Sequence, residues 1–347
     1  MTSSAPLPNT AAETTSAAQT ATSAAPGAAG AAAAGVRAAG TGPADADVAN
    51  ADGAGAEGAV LPNGGAARAV GVVGRRAMVA RAAVGTSLAG GRTVVSRLGS
   101  APPLTLRQTG PRTVHLVSTA AGPLGGDRLE LDLDIAPGTS LEVGSVASTL
   151  VLPGDGESVM VITARVGAGA TLRFAPQPTV LAAGCFHRLV VRLTLAAGAH
   201  VFWREEIVFG RYGEAPGRCH ARFDATYDGR PLLRQEYTVG DPALDASPAV
   251  YGDARCIGTT LITPKPTPTA PEPATQGLAS RAVAAGGAAA SRTAAGAVVA
   301  DGVAVLPLAG PGVLVSALGA DAVELRRRLE WGEGVAFGDL AGATCPS

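Results

Sequence analysis

A few carboxylates are the side chains best suited to chemistry in this sequence. Glu205 and Glu206 are neighbours inside a run of large apolar residues. Adjacent residues of a strand point to opposite faces, so these two carboxylates cannot act together as an acid and a base. One of them is expected to face the interior, where a buried carboxylate needs a partner such as an Arg or a metal ion. Arg211 and Glu214 lie in a predicted turn, where they either line a passage or form a surface ion pair.

A further acidic residue, Asp127, closes the glycine-rich segment GPLGGD at 122–127. The segment lies between predicted strands and lacks the Lys-Ser/Thr pair and the following helix of a phosphate-binding loop. Asp127 therefore either belongs to a functional site or accepts hydrogen bonds from backbone amides of a tight turn. The residue types alone favour neither interpretation.

The histidines and cysteines are spread along the chain without the spacing of a metal-binding motif. They are His115, His187, His200, His220, Cys185, Cys219, Cys256 and Cys345. Cys185 and His187 would share one face of an extended segment, whereas Cys219 and His220 would point to opposite faces. The sequence therefore predicts no permanent metal site. Widely spaced thiols without a CxxC pair indicate a protein of the reducing cytoplasm.

The elements that must position these residues are predicted to be repeated strands. The run Leu129–Ile135 alternates apolar and polar residues, reaches a turn and restarts as a second strand. This strand–turn–strand unit recurs about every thirty residues, with turn glycines at Gly138, Gly169 and Gly198. The period predicts a mainly β fold of stacked antiparallel β-hairpins or sheet layers, similar to a β-helix. One or two helices are expected near the C-terminus, the clearest at 321–329.

Composition divides the chain of 347 residues into three kinds of segment. Residues 1–66 are almost entirely Ala, Gly, Ser, Thr and Pro, which predicts a disordered tail. Residues 67–347 form the predicted β domain, interrupted at 264–297 by a flexible insertion rich in Pro and Ala. The net charge of −1 gives no electrostatic reason to expect a nucleic-acid partner. No signal peptide or membrane span is predicted, which again indicates the cytoplasm.

The order of several short motifs resembles the UreD (also called UreH) family of urease accessory proteins. The motifs are PLGGD at 123–127, APG at 136–138, APQPT at 175–179, WREEIVFGR at 203–211 and GE at 213–214. The segment 312–328, a strand that enters a helix, is similar to the C-terminal end of that family. The resemblance covers roughly residues 77 to 335.

The resemblance implies a non-enzymatic scaffold for urease maturation. Members of the family bind apo-urease and the accessory protein UreF, which in turn recruits the GTPase UreG. They are thought to pass nickel through an internal tunnel, so Ni²⁺ would be bound transiently and no cofactor tightly. By position, Asp127 and Glu214 match the acidic residues proposed to line that tunnel. Glu206 is a further candidate, because one residue of its pair is expected to face inward.

The chain also departs from the family pattern. Arg128 stands where an acidic residue is common, the segment 144–152 lacks the usual Lys, Tyr and Arg, and the insertion at 264–297 is unusual. Two alternative functions remain open on the sequence. One is a β-rich binding module without a metal role. The other is a carbohydrate-active enzyme, which would need two carboxylates about 5–10 Å apart in an open cleft.

Overall fold

The computed structural model describes residues 76–263, 291–292 and 296–338. The predicted tail at 1–66 lies outside the described residues, and so does nearly all of the predicted insertion at 264–297. In chain order the elements are β1 (Val79–Ala89), β2 (Arg92–Gly99), β3 (Leu104–Gly110), β4 (Thr113–Ser118), β5 (Arg128–Ile135), β6 (Ser140–Ser145), β7 (Thr149–Val151), β8 (Ser158–Val166), β9 (Thr171–Phe174), β10 (Thr179–Leu181), β11 (Phe186–Leu195), β12 (His200–Val208), β13 (Arg218–Tyr227), β14 (Arg230–Val239), α1 (Pro242–Asp245), β15 (Cys256–Ile262), β16 (Ser291–Arg292), β17 (Val298–Ala300), β18 (Val303–Pro307), β19 (Val313–Gly319) and α2 (Ala322–Phe337).

The described strands form two sheets. One has seven strands in the order β14-β13-β11-β8-β5-β1-β2. The other has twelve, with the main order β16-β17-β18-β19-β15-β12-β9-β6-β4-β3 and with β10 and β7 paired beside β12. Inward-facing residues of both sheets form one core, as the alternating burial along β11 shows. The prediction of a mainly β, layered fold is confirmed.

The thirty-residue repeat stacks as in a β-helix, but its units are arches and not antiparallel hairpins. The first strands, β5, β8 and β11, pair in parallel in the seven-stranded sheet. The second strands, β6, β9 and β12, pair in parallel in the other sheet. Each turn crosses the space between the sheets at a glycine of positive φ, namely Gly138 (70°), Gly169 (65°) or Gly198 (70°). An arch lets the apolar residues of both strands face each other across the core, which a hairpin within one sheet does not.

Trp203 of β12 makes aromatic contacts with the neighbouring strand of its own sheet and with a strand of the other sheet. Trp203 stacks on Phe174 of β9, with ring centroids 4.0 Å apart, and lies 5.8 Å from the ring of Phe223 on β13. Such pairs add about 0.5–1.5 kcal/mol each beyond the area they bury. These contacts therefore fix the inward face of β12 at Trp203, and Glu205 is the next residue on that face.

The C-terminal helix α2 covers the opposite face of the twelve-stranded sheet. Its buried residues Leu325 and Leu329 pack on β15, β18 and β19 in a second core. Leu329 approaches the strand closely because residue 258 is a glycine, where an added Cβ would lie 2.7 Å from Leu329 Cδ1. Asp321 caps the helix by accepting hydrogen bonds from the amides of residues 323 and 324. The predicted helix at 321–329 is confirmed and continues to Phe337. None of the helices in the described part of the chain is both long and apolar enough to cross a membrane.

Candidate functional site

A cavity of about 90 Å³ lies between the two sheets. Its lining extends from exposed Ser118 and Gln177 to buried His187 and Glu205. The cavity therefore reaches from the surface into the core. Most of the remaining wall is apolar, and includes Leu104, Leu129, Leu131, Ile162, Phe174 and Leu189. Charged or basic groups inside such a wall act in a medium of low polarity, where their interactions are strong.

Glu205 places a carboxylate in this cavity. It lies on β12 between Trp203 and Ile207, which share its inward face, and it is only 8% exposed. Burial raises the pKa of the carboxyl to about 7, although the nearby indole of Trp203 favours the ionised form. Near neutral pH this carboxyl exchanges its proton easily, which is suitable for a group that binds and releases a cation.

His187 places an imidazole in the same cavity from the opposite sheet. It is 2% exposed, and its Nδ1 lies 2.8 Å from Ser158 Oγ. The Ser158 hydroxyl donates to the carbonyl of Phe186 (3.3 Å), so it accepts a hydrogen bond from Nδ1–H. Nε2 then carries the lone pair. Burial lowers the pKa of His187 to about 4, so the ring is neutral at physiological pH.

Glu206 points to the other face of β12, toward α2. Its carboxylate lies 2.7 Å from Arg326 Nε and 4.0 Å from Arg204 Nη1. Burial raises the pKa of Glu206, and Arg326 opposes that shift. Glu206 also borders the cavity, but its carboxylate is paired with Arg326 and Arg204. The inward-facing charge expected from the sequence thus has Arg partners at Glu206, whereas its neighbour Glu205 lines the cavity from the inward face of β12.

Asp127 binds the backbone of the glycine-rich turn. One carboxylate oxygen accepts a hydrogen bond from the amide of Met78 (2.8 Å) and the other accepts one from the amide of Leu124 (2.9 Å). Asp127 is fully buried, and Gly126 beside it has a φ of 87°. Of the two interpretations open on the sequence, the geometry shows the amide-binding turn. Two residues of the same turn, Gly122 and Pro123, border the cavity.

We expect Asp127→Asn to lower the free energy of unfolding by about 1–3 kcal/mol. An amide side chain has one acceptor oxygen, so one of the two backbone amides would face an NH₂ group and lose its hydrogen bond. Urea denaturation measures the effect. Asp155→Asn, in an exposed neighbouring loop, is the matched control. Equal stability of the two variants would contradict this role of Asp127.

Glu214 forms the ion pair that holds its own turn. It accepts hydrogen bonds from Arg211 Nε (2.9 Å) and Nη2, and from the amides of Arg211 (3.2 Å) and Ala183 (3.3 Å). These hydrogen bonds, led by the Arg211 side chain, lower the pKa of Glu214 to about 2. Arg255 also donates to the carbonyl of Glu214 (2.6 Å). Glu214 is therefore ionised and fixed in place.

The three predicted acidic residues do not meet at one point. Asp127 precedes β5 and Glu214 precedes β13, and the parallel strands β5, β8, β11 and β13 all begin at one edge of their sheet. Three strand spacings, about 14 Å, separate β5 from β13. Glu206 lies on the far face of the other sheet. In the described ranges, no group of three or more His, Cys, Asp or Glu side chains converges as a metal site would require.

Comparison with known proteins decides the family. Residues 78–336 match the sequence model described as UreD urease accessory protein. The chain belongs to the UreD family. The match spans the described strands from β1 to β19 and all but the last residue of α2, so the cavity lies within the family region.

Individual members of the UreD family are also similar over most of this chain. A urease accessory protein UreD of Frankia casuarinae is 41% identical over 295 residues, which cover 75% of this chain and 90% of the relative. A urease accessory protein UreD of a Parafrankia species is 40% identical, and the aligned region covers 77% of this chain and 92% of the relative. A urease accessory protein UreD of Streptomyces coelicolor is 36% identical, and the aligned region covers 69% of this chain and 89% of the relative. These names describe a factor that assists an enzyme, urease, and not a catalyst.

Two residues that line the cavity, Glu205 and His187, were not among the predicted site residues. Glu205 has the same spacing as Trp203 and Ile207, which would have placed it on their face. His187 follows Cys185 at a spacing that shares a face, and the sequence did indicate that much. Its partner Ser158 is 29 residues away in sequence, and no local pattern reveals that contact.

Proposed function

We propose that this protein is a urease maturation scaffold that conducts nickel through the cavity between its sheets. It would bind apo-urease and UreF in the cytoplasm, and UreF would bring UreG. The observation that carries the proposal is the buried carboxylate of Glu205 in a cavity that reaches the surface. Membership of a family of urease accessory proteins supports the role in urease maturation.

The composition of the cavity suits a cargo that has to leave again. A site of several His or Cys ligands would hold nickel tightly, whereas a single carboxylate in an apolar wall attracts the ion without retaining it. Because the pKa of Glu205 is about 7, its proton leaves readily when a cation arrives. The charge of the ion is then partly balanced in a wall that offers it little other solvation.

Asp127 and Glu214 would act at the edge of the seven-stranded sheet. Asp127 holds the turn that borders the cavity, and Glu214 keeps a negative charge fixed farther along that edge. Glu206 would act indirectly, because its ion pair with Arg326 fastens α2 to β12. A carbohydrate-active enzyme would need two available carboxylates in an open cleft, whereas Asp127 binds backbone amides and Glu206 is paired with Arg326.

The scaffold is tested by co-expression with the UreF of the same genome, followed by affinity purification and size-exclusion chromatography. We expect a stable stoichiometric complex. Separate elution of the two proteins would contradict the scaffold.

The conduit is tested in the same complex by Glu205→Gln, with the exposed Glu330→Gln as matched control. We expect Glu205→Gln to lower the nickel content of co-expressed urease roughly tenfold, the scale on which loss of a supporting group weakens metal sites. Glu330→Gln should load urease normally. Normal loading with Glu205→Gln in an intact complex would refute passage through the cavity while leaving the scaffold in place.

A further inference from the structure

We propose that His187 Nε2 and the Glu205 carboxylate form a binding station for a divalent transition-metal ion inside the cavity. The station deepens the proposed function and rests on it, because it gives conducted nickel a defined stopping point. It also assigns a nitrogen ligand to a passage for which only acidic residues were predicted.

The two groups come from opposite walls. His187 belongs to β11 in the seven-stranded sheet, and Glu205 belongs to β12 in the twelve-stranded sheet. Both are more than nine-tenths buried, and both line the same cavity. An ion between them would bridge the sheets, so the distance between the walls would determine the geometry of the station.

The imidazole is already in the form that binds a metal. Its Nδ1–H donates to Ser158 Oγ, and that hydroxyl donates onward to the carbonyl of Phe186. This chain fixes the tautomer and the ring orientation, which is how supporting residues orient metal-binding histidines in general. Nε2 is left with its lone pair, on a residue that lines the cavity. Ser158 is therefore a positioning residue of the station.

The donor set selects the class of ion. One imidazole nitrogen and one carboxylate oxygen suit Ni²⁺, Co²⁺ or Zn²⁺, whereas Mg²⁺ and Ca²⁺ prefer oxygen ligands alone. With two protein ligands, the remaining coordination positions belong to water. An ion held in this way exchanges readily.

Nickel binding by the complex with UreF is the direct test, with Ni²⁺ alone as the probe and a chromogenic chelator as competitor. His187→Gln keeps nearly the volume of the side chain and loses the imidazole. We expect it to weaken the tightest Ni²⁺ binding at least tenfold, and Ser158→Ala to weaken it by a smaller factor, since the ring loses its orientation. His220→Gln is the control, because this half-buried histidine pairs with Glu236 on the outer face of the sheet.

A spectroscopic measurement makes the test specific to the imidazole. X-ray absorption of the complex with one equivalent of Ni²⁺ should show imidazole coordination for the wild type and for His220→Gln, and less of it for His187→Gln. Unchanged affinity and an unchanged spectrum in His187→Gln would overturn the station. If Glu205→Gln lowers urease loading while His187→Gln alters neither binding nor spectrum, the conduit stands and the station falls. If neither variant changes binding or loading, both proposals fail.

Discussion

Glu333→Ala is expected to lower the free energy of unfolding by about 3–5 kcal/mol, the cost of leaving a buried charge without its partner. The Glu333 carboxylate lies between α2 and the twelve-stranded sheet, where it accepts hydrogen bonds from Arg204 Nε (2.8 Å), Arg204 Nη2 and Thr260 Oγ1 (2.6 Å). Its removal leaves the buried guanidinium of Arg204 with Glu206 at 4.0 Å as its remaining ion pair. Urea denaturation monitored by circular dichroism measures the change.

The matched control is Glu330→Ala, an exposed position three residues earlier in the same helix. A substitution there removes an acidic side chain from α2 without exposing a buried partner, so we expect a change within about 0.5 kcal/mol. The double variant Arg204→Met with Glu333→Leu should recover much of the loss, because it removes both charges together. If Glu333→Ala were as stable as the control, the buried pair would not fasten α2 to the sheet.

The repeat predicted the stacking of this fold but could not predict which strands pair. Alternating residues on both sides of a turn glycine are compatible with a hairpin and with an arch, because each exposes one apolar face per strand. Gly138, Gly169 and Gly198 have positive φ in the arches, as they would in hairpins. The choice depends on contacts between units about thirty residues apart, such as the parallel pairing of β5 with β8.

The local sequence pattern also could not show that Glu205, and not only Glu206, is a candidate site residue. On a strand with one solvated face, alternation shows which side chain points inward. Strand β12 is buried on both faces, because the other sheet packs on one face and side chains of α2, namely Arg326 and Glu333, reach the other. Glu205 and Glu206 are therefore both buried, and only the structure shows that Glu205 faces the cavity. The amide-binding role of Asp127 was within reach of the sequence, since a glycine-rich turn is a frequent setting for such an aspartate.

Burial of Glu205 should make the stability of the protein depend on pH. The pKa of this carboxyl is about 7 in the folded chain, against an ordinary value of 4.5. Between pH 4.5 and about 7, Glu205 of the folded chain keeps a proton that the unfolded chain has released. The stabilisation from this group is thus fully present below pH 4.5 and is lost as the pH rises through 7, by about 3 kcal/mol in all.

His187 acts in the opposite direction. Its pKa falls from 6.5 to about 4 on folding, so its contribution is present above pH 6.5 and is lost as the pH falls through 4. Between pH 4.5 and 6.5 the two effects cancel, because the folded chain holds on Glu205 the proton that the unfolded chain holds on His187. The wild-type protein should therefore show almost no net slope from this pair in that range.

Glu205→Gln removes the contribution of Glu205 to the pH dependence and leaves that of His187. The stability of the variant should rise from about pH 4 to 6.5, where the pair contributes no slope in the wild type. Relative to the wild type, the variant should gain about 3 kcal/mol between pH 4 and 8, as the wild-type carboxyl becomes a buried charge. Urea denaturation of both proteins across that range measures the difference, with the exposed Glu330→Gln as control. A constant offset between the variant and the wild type at every pH would mean that Glu205 ionises as easily in the folded chain as in the unfolded one, and the cavity would then be too polar to guide a cation by this carboxylate.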